Sequence, residues 1–368
     1  MKFTINREAL LKPLQLVAGV VERRQTLPVL SNVLMVVDGN QLSLTGTDLE
    51  VELVGRVTLE HVQENGEITV PARKLMDICK SLPESAVIEF FMEDSRVKLK
   101  SGRSRFTLSS LPANEFPSID EEPGSLMFTI GQNRLRRLID RTGFAMAQQD
   151  VRYYLNGMLL EVSQNSLRAV ATDGHRMAMC TVEADISQQT KHQVIVPRKG
   201  ILEMARLLTD GDEVVHISLG ASHIRAKTGD FMFTSKLVDG KFPDYDRVLP
   251  RGGDKVVIGE RQELRQAFQR ASILSNEKYR GIRLILSDGQ LNVMANNPEQ
   301  EEAEEEVILS YHGENIEIGF NVSYLLDVLS VLSGDSIKIT LSDPNSSALL
   351  EEDSEDGDSS YVVMPMRL

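Results

Sequence analysis

The feature that most constrains this chain is a helix pattern that occurs three times at nearly equal spacing. The three segments are "VPARKLMDICKSL" (70–82), "VPRKGILEMARLL" (196–208) and "FNVSYLLDVLSVL" (320–332). In each, apolar residues fall at i, i+3, i+4 and i+7, which is one face of an α-helix. We expect the Pro of the first two copies to lie in the first helical turn, where its missing N–H is tolerated. The repetition indicates a duplicated unit of domain size.

The segments around this helix repeat in the same register. A strand with alternating apolar residues precedes it at 41–48, 166–173 and 290–297, and leads into a corner at Thr47-Asp48, Thr172-Asp173 or Asn296-Asn297. Thr and Asx side chains suit such a corner because they hydrogen-bond to nearby backbone. Each unit also opens with a short strand and a longer helical segment, predicted over 7–24, 133–148 and 260–281.

The repeat divides the chain into three domains. The segments 120–125 and 249–255 are rich in Pro, Gly and charge, as linkers are. We therefore expect domains at 1–125, 126–252 and 253–368, since 368 residues are too many for one typical core. Strands mixed with two helices per unit predict an α+β fold with antiparallel sheets. The acidic segment 351–360 is expected to be a mobile loop.

The net charge of −14 argues against a conventional basic nucleic-acid binder, whose affinity comes from neutralised phosphates. The charge is unevenly distributed, however. The six predicted helices together carry +10, which leaves −24 for the rest of the chain. If all helices face one way, the molecule has a cationic face. The alternative is that helices prefer Lys and Arg while loops prefer Asp.

A second polarity runs along the chain. The segment 95–106 contains five basic residues, and the segment 297–306 contains six glutamates. Opposite charges at the two ends suit head-to-tail association, which forms a ring when the rotation closes. Two independent, solvated charge runs are the simpler alternative.

Several classes of protein are disfavoured by composition. The chain has two cysteines, Cys79 and Cys180, and no CxxC or HExxH spacing, so we expect no disulfide framework and no metal site. Cys79 lies on the apolar helix face and is predicted to be buried. No apolar run approaches the ~20 residues that span a bilayer. The charged N-terminal segment lacks a signal-peptide core, which favours the cytoplasm.

Along its whole length the chain resembles the bacterial β sliding clamps, the processivity subunits of DNA polymerase III. The segments that carry the resemblance are "LTGTDLE" (44–50), "DVRYYLNGMLLE" (150–161), "ATDGHRMA" (171–178), "KLVDGKFPDY" (236–245), "ANNPEQEEAEEE" (295–306) and "YVVMPMRL" (361–368). The resemblance implies a non-catalytic homodimeric ring of six domains without a cofactor. Two helices of each domain would line the interior, and the sheets would form the outside.

The resemblance also implies a set of DNA contacts. These are Arg24, Arg73, Gln149, Tyr153 and Tyr154. The arginines are plausible phosphate partners in sequence-independent, topological binding to duplex DNA. The two tyrosines could stack on bases, or they could pack in an interface or core.

A second implied site is a pocket for short apolar motifs of partner proteins. The partners would be the polymerase III α subunit, the clamp loader, other polymerases and repair proteins. The pocket residues would be Leu155, Thr172, Gly174, His175, Arg176, Met177, Pro243, Arg247, Val248, Ser347, Val362, Met364, Pro365, Met366, Arg367 and Leu368. Adaptable methionines and an arginine rim would suit varied peptides. Without the resemblance, the last residues would be taken as an ordinary final strand.

The subunit joint is the third implied site. It would place Lys74, Arg96, Arg103, Arg105, Phe106 and Leu108 of one copy against Ile273, Leu274, Glu299, Glu301, Glu302, Glu304 and Glu305 of the other. Exposed ion pairs contribute ~0–1 kcal/mol each, so the apolar residues should supply most of the affinity.

Two other functions compete with this interpretation. Asp173, His175 and Arg176 lie close together in sequence and could belong to an enzyme, although no nucleophile or phosphate-binding loop accompanies them. A scaffold that binds partner peptides without encircling DNA would use the same pocket.

Overall fold

A computed structural model describes residues 1–22, 27–93, 95–119, 124–187, 191–353 and 357–367. The α-helices within this part of the chain are α1 (Arg7–Val20), α2 (Ala72–Ser81), α3 (Gln132–Thr142), α4 (Arg198–Leu207), α5 (Arg261–Ser272) and α6 (Val322–Val331). None of these described helices is long and apolar enough to cross a membrane.

In the described part of the chain, four or five consecutive strands lie between each helix and the next. The first ten are β1 (Lys2–Asn6), β2 (Asn32–Asp38), β3 (Gln41–Thr47), β4 (Val51–Thr58), β5 (His61–Glu64), β6 (Gly66–Pro71), β7 (Val87–Glu93), β8 (Arg96–Ser101), β9 (Ser104–Ser109) and β10 (Leu126–Gly131). The next seven are β11 (Gly157–Ser163), β12 (Ser166–Thr172), β13 (Arg176–Glu183), β14 (His192–Pro197), β15 (Val214–Leu219), β16 (His223–Thr228) and β17 (Phe231–Lys236). The last eight are β18 (Lys255–Glu260), β19 (Gly281–Ser287), β20 (Gln290–Asn296), β21 (Glu302–Ile308), β22 (Ile316–Asn321), β23 (Ser336–Leu341), β24 (Ala348–Glu352) and β25 (Ser359–Val363).

The chain forms two compact units, each of which contains part of the second repeat. Unit 1 comprises Met1–Leu135 and Lys199–Leu237. Its sheets have the strand orders β5-β1-β7-β8-β9 and β10-β15-β16-β17-β4-β3-β2-β6. In the larger sheet β17 pairs antiparallel with β4, with Phe231 opposite Gly55 and Ser235 opposite Val51. This pairing makes one continuous sheet from the first and second repeats.

Unit 2 comprises Arg136–Arg198 and Val238–Leu368. Its sheets have the strand orders β14-β11-β12-β13-β25-β24-β23-β18 and β21-β20-β19-β22. Here β13 pairs antiparallel with β25, with Arg176 opposite Val363 and Cys180 opposite Ser359. The second and third repeats are therefore joined by the same kind of strand pairing as the first and second.

The repeated apolar helix faces are buried as predicted. Leu75 and Cys79 of α2, Ile201 and Met204 of α4, and Leu325, Val328 and Leu329 of α6 are all buried. α1 packs against α2 in unit 1, and α5 packs against α6 in unit 2. The period of the apolar residues thus identified the side of each helix that the sheets cover.

Some predicted helix boundaries are wrong. Pro71 and Pro197 end β6 and β14, immediately before α2 and α4, instead of lying in the first helical turn. α1, α3 and α5 also end earlier than predicted, at Val20, Thr142 and Ser272. After α5, the side chain of Asn276 accepts hydrogen bonds from the backbone N–H groups of Lys278 and Tyr279, which favours a turn over continued helix.

Two sequence predictions fall partly outside the described residues. The linker expected at 120–125 includes residues 120–123, which the structure does not describe. The acidic segment 351–360 includes residues 354–356, which also lie outside the description, while its ends belong to β24 and β25.

Candidate interaction sites

Unit 2 contains an apolar cluster where the second and third repeats join. Leu155, Met177 and Val362 of the predicted pocket are buried in it, with Tyr154 and Val248 partly buried against it. The other members are Ala147, Leu159, Val170, Ile195, Phe242 and Tyr245, with Met179, Val238, Leu249 and Leu349 partly buried against them. The fully buried members form the floor, and the partly buried ones leave apolar surface that a ligand could cover.

The C-terminal segment lies beside this cluster and is anchored by its backbone. β25 ends at Val363, so the following residues are not a final strand. The backbone N–H of Met364 donates to the carbonyl of His175 at 3.0 Å, and that of Met366 donates to the carbonyl of Gly319 at 2.8 Å. The Met364 side chain is 39% exposed. Pro365 is partly buried and Arg367 exposed, whereas Leu368 lies outside the described residues.

The side chain of Arg176 is enclosed by other residues and does not lie at the rim of the pocket, where the arginines were expected. Its guanidinium bonds to Asp173 and Asp327 and donates to the carbonyl of Phe144 at 3.0 Å. It also lies over the rings of Phe144 and Tyr324, at 5.2 and 4.5 Å from the centroids. With all these partners Arg176 is suited to fixing α6 against the corner at 172–176, and it has little capacity left for a ligand.

The corner at 172–176 is built by side chains that hydrogen-bond to backbone. Thr172 Oγ1 donates to the carbonyl of Arg176 at 2.6 Å, and the Asp173 carboxylate accepts from the backbone N–H groups of His175 and Arg176. Gly174 has a φ of +87°, a conformation that glycine adopts without strain. The guanidinium of Arg152 packs directly against Gly174. Arg152 is a residue of this site that sequence reasoning missed, since its contact with Gly174 is long-range.

The remaining predicted pocket residues are more exposed. His175, Pro243 and Arg247 are exposed, whereas Ser347 is partly buried. The side chain of Arg247 is 86% exposed and forms an ion pair with Asp244 at 2.9 Å. Because its guanidinium is largely in solvent, Arg247 is better placed than Arg176 to meet an anionic group of a ligand.

Sequence reasoning also missed a polar network beneath the apolar cluster. The hydroxyl of the buried Tyr245 donates to the carboxylate of Glu161 at 2.8 Å, and Lys191 forms an ion pair with the same carboxylate at 2.7 Å. Burial alone would raise the pKa of Glu161, but hydrogen bonds from Lys191, Gln193 and Tyr245 outweigh it and lower the pKa. The network holds Tyr245, and with it one wall of the cluster, in a single orientation.

The predicted DNA contacts are divided between the two units. Arg73, on α2 in unit 1, is exposed, while Arg24 lies outside the described residues. In unit 2 Gln149 is exposed and has a φ of +56°. The ring of Tyr153 is 57% exposed and meets the ring of Tyr154 edge-on, 5.8 Å between centroids. Tyr153 is therefore available for stacking, whereas Tyr154 packs against the apolar cluster.

Unit 1 contains a cationic cleft of about 770 Å³. The basic side chains that line it are Lys12, Arg73, Lys80 and Arg206. Among the described residues, the side chains of Lys12, Arg73 and Lys80 have no hydrogen-bond or ion-pair partner, whereas Arg206 pairs with Glu203 at 2.8 Å. Other helix cations are similarly neutralised, such as Arg141 by Glu352. The cationic face is thus smaller than the count of charges along the helices suggested.

Six of the residues predicted for the subunit joint lie on two edge strands. β9 is an outer strand of the five-stranded sheet and carries Arg105, Phe106 and Leu108. β21 is an outer strand of the four-stranded sheet and carries Glu302, Glu304 and Glu305. Edge strands have unpaired backbone groups that can accept another strand.

The other predicted joint residues lie on α2, on β8 and in turns or loops. Ile273 is 74% exposed, and Leu274 is partly buried. The remaining ones, Lys74, Arg96, Arg103, Glu299 and Glu301, are all exposed. Glu305 instead forms a bidentate pair with Arg270 of its own chain, at 2.8 and 2.7 Å, which lowers the pKa of Glu305.

The geometry of the "TDGHR" segment does not favour catalysis. The Asp173 carboxylate is occupied by Arg176 and by backbone N–H groups, and among the described contacts the imidazole of His175 has no hydrogen bond to it. In the part of the chain that the structure describes, no three His, Cys, Asp or Glu side chains come together as a metal site would require.

Comparison with known families matches the chain to three domain models in order. Residues 1–120 match the N-terminal domain of the DNA polymerase III beta subunit, residues 129–244 its central domain, and residues 246–367 its C-terminal domain. The beta sliding clamp of Pseudomonas aeruginosa is 72% identical over the full length of both chains, and that of Escherichia coli is 54% identical, also over the full length of both.

Solved structures agree with this match. The crystal structure of the DNA polymerase III subunit beta from Pseudomonas aeruginosa has a TM-score of 0.97 at 72% identity, with complete coverage of both chains. A sliding clamp from the same organism, bound to griselimycin, gives the same values. The beta sliding clamp of C. crescentus has a TM-score of 0.95 at 40% identity and covers 100% of this chain and 99% of its own.

Proposed function

The chain belongs to the DNA polymerase III beta-subunit family, the beta sliding clamps, and from that premise we propose that two copies join head to tail in a ring around duplex DNA. It has the fold of this family, with three clamp domains, six helices and antiparallel sheets. Its function is that of a non-catalytic DNA sliding clamp of DNA polymerase III. The observation that carries the proposal is the match of all three domain models, in order, along one chain.

The proposed domains are 1–125, 126–252 and 253–368. The three repeated helices, α2, α4 and α6, each belong to a different one of these segments. Two helices from each domain would face the interior of the ring, and the sheets would form the outside. A ring retains DNA by topology, so contacts with phosphates can be few and independent of sequence.

Arg73 and the cationic cleft of unit 1 are the proposed phosphate contacts, together with Arg24. The support from the structure is that Arg73, Lys12 and Lys80 are without partners among the described residues and share one cleft. Gln149 and the exposed ring of Tyr153 would contact the DNA from unit 2, with stacking as the contribution of the ring. Tyr154 would connect this surface to the apolar cluster, because its ring contacts both Tyr153 and the cluster.

The apolar cluster and the C-terminal segment are the proposed docking site for partner peptides. Partly exposed Met364 and Val248 would contact apolar side chains, and Arg247 would meet carboxylates or backbone carbonyls. Thr172, Gly174 and Arg176 would hold the site in shape rather than bind the ligand. The proposed partners are the polymerase III α subunit, the clamp loader, other polymerases and repair proteins, which act together in the cytoplasm.

The subunit joint would repeat the strand pairing found within the chain. β21 has the place in the third repeat that β4 and β13 have in the first two, and β9 corresponds to β17 and β25. Since β4 pairs with β17 and β13 with β25, β21 of one copy would pair with β9 of the other. The glutamates of β21 would meet the arginines near β9, and the exposed Ile273 would pack against the partly buried Phe106, since Leu108 is only 7% exposed.

Retention on closed DNA tests encirclement. The clamp is loaded on nicked circular DNA, and the sample is divided in two. The DNA of one portion is linearised, and the protein that stays bound in each portion is measured over time. We expect it to remain on circles and to be lost from linear DNA, because only free ends let a ring slide off. Equal loss from both would contradict encirclement and would favour a scaffold that binds partners without surrounding DNA.

A further inference from the structure

The three corners of the repeat have related hydrogen-bond patterns, which allows one joint to be compared with another. The first corner comprises residues 47–51, the second 172–176 and the third 296–301. In the first, the backbone N–H of Asp48 donates to the carbonyl of Val51 at 3.2 Å. In the third, the N–H of Asn297 donates to the carbonyl of Glu301, also at 3.2 Å. Asn297 thus corresponds to Asp48, and Glu301 to Val51.

The first corner is tied to the second helix of the next repeat. Lys199, the second residue of α4, forms ion pairs with Asp48 and with Glu22, the latter at 2.8 Å. The Asp48 side chain is only 6% exposed, so this contact is shielded from solvent. Breaking a partly buried pair of this kind costs more than breaking an exposed one, because the remaining charge is left shielded from solvent without a partner.

The second corner makes a related contact with its charges reversed and at a different helix position, since Asp327 is the sixth residue of α6. Arg176 is held by the carboxylate of Asp173 and pairs with Asp327 on α6. Each joint within the chain therefore contains an ion pair. One charge lies on the corner, and the opposite charge lies on the second helix of the following repeat.

The third corner is prepared for a similar contact, but residues 1–368 contain no fourth repeat to make it. The Asn297 side-chain amide donates to the carboxylate of Glu301 at 2.6 Å, and the backbone N–H of Glu301 donates to the Asn297 side-chain oxygen at 3.0 Å. A carboxylate thus lies against Asn297, the residue that takes the place of Asp48. Glu301 is exposed, and the described residues give its carboxylate no cationic partner.

The corresponding cation is Arg73. It is the second residue of α2, as Lys199 is of α4, and it is exposed without a partner among the described residues. We propose that the Asn297–Glu301 corner of one copy receives Arg73 of a second copy, with Asn297 as the positioning residue for the Glu301 carboxylate. This inference rests on the proposed head-to-tail dimer. Arg73 has five N–H donors, so the pair leaves donors for a DNA phosphate.

A charge-reversal cycle on the full chain tests the pair. The dimer dissociation constant is measured without DNA by sedimentation for wild type, Arg73→Glu, Glu301→Arg and the double variant. Because a two-joint ring contains the pair twice, we expect each single reversal to raise Kd about 5- to 30-fold and the double variant to recover most of the loss. Lys80→Glu, an equal charge change on the same helix, should alter Kd less than threefold and should show no recovery when combined with Glu301→Arg.

Asn297→Ala tests the positioning role. In the Asn297→Ala background, the coupling free energy between the charge reversals at positions 73 and 301 should fall by at least half. If Asn297 had only a structural role, this coupling free energy would be unchanged. If the wild type is a dimer but the two charge reversals have additive effects on Kd, the Arg73–Glu301 pair is overturned. The proposed function would then remain intact. A wild type that stays monomeric at every concentration would instead overturn the proposed dimer itself.

Discussion

At the residue scale, equivalent positions of the first and second corners have similar backbone conformations but different residues and contacts. Leu49 and Gly174 occupy equivalent positions and both have positive φ, +79° and +87°. Such a φ is unfavourable for a side chain like leucine, yet the hydrogen bonds of Thr47 and Asp48 hold the first corner in place. In the second corner glycine removes that strain and makes room for Arg152.

Gly174→Ala should destabilise the protein more than the same change at Gly229. Both glycines have positive φ, so each alanine costs about 1 kcal/mol from the backbone alone. At Gly174 the new Cβ would lie 2.8 Å from Nη2 of Arg152, so the guanidinium and its ion pair with Asp150 must shift, whereas nothing lies within 4 Å at Gly229. Denaturant unfolding of the two variants measures the difference, and equal destabilisation would contradict the role of the Arg152 contact.

Glu352→Gln should destabilise unit 2 by about 3–5 kcal/mol, because it leaves the buried Arg141 without its counter-charge. Burial opposes the charged form of Glu352, but hydrogen bonds from the backbone of Ser333 and from Arg141 lower its pKa to about 2. The neighbouring Glu351→Gln, in a partly exposed pair with Lys338, is the control and should cost under about 1 kcal/mol.

The lowered pKa gives this pair a defined pH dependence. A carboxyl whose folded-state pKa is depressed stabilises the fold above its ordinary pKa and loses that contribution as pH falls through the folded value. The difference in the free energy of unfolding between wild type and Glu352→Gln should therefore stay constant from pH 7 to about pH 5 and become smaller below pH 5. A gap that closes already above pH 5 in denaturant unfolding would contradict the assignment.

At the element scale, the C-terminal segment differs from the strand that precedes it. Residues 364–367 follow β25 without continuing it and are held by backbone hydrogen bonds to His175 and Gly319. This placement leaves Met364 39% exposed, two residues after Val362 of the apolar cluster. The proposed docking site thus depends on an irregular segment fixed by the corner at 172–176 and by β22, and binding residues are often found on such segments.

Removing residues 364–368 should abolish partner binding and leave the dimer intact. These residues contribute to the proposed peptide site but not to the proposed joint. Stimulation of polymerase by the loaded clamp measures the first effect. Sedimentation checks the dimer. Undiminished stimulation would contradict the location of the pocket.

At the scale of the whole molecule, the two joints within the chain are the basis for the proposed joint between two copies. The pairings β4 with β17 and β13 with β25 connect successive repeats, and β21 and β9 are the corresponding edges that remain. A joint between copies also needs apolar area, and Ile273, at 74% exposure, would supply part of it.

Replacing Ile273 and Leu274 together with alanine should shift the protein towards monomers. The apolar side chains would contribute most of the affinity at the joint, and exposed charges little. Light scattering or sedimentation at several concentrations measures the change. Arg247→Ala, exposed but outside the joint, serves as the control. An unchanged mass for the double variant, at concentrations where wild type dissociates, would rule out this seam.

The sequence alone determined the repeat, the buried helix faces and the strands with their corners, because period and spacing follow directly from residue order. It also determined family membership, through motifs spread over the whole chain. Tertiary structure decided which charges remain available. Arg176 and Glu305 looked like surface ligands in the sequence, yet the fold gives them Asp327 and Arg270 as partners, 151 and 35 residues away. Such pairings depend on distances in space, which a pattern of neighbouring residues does not contain.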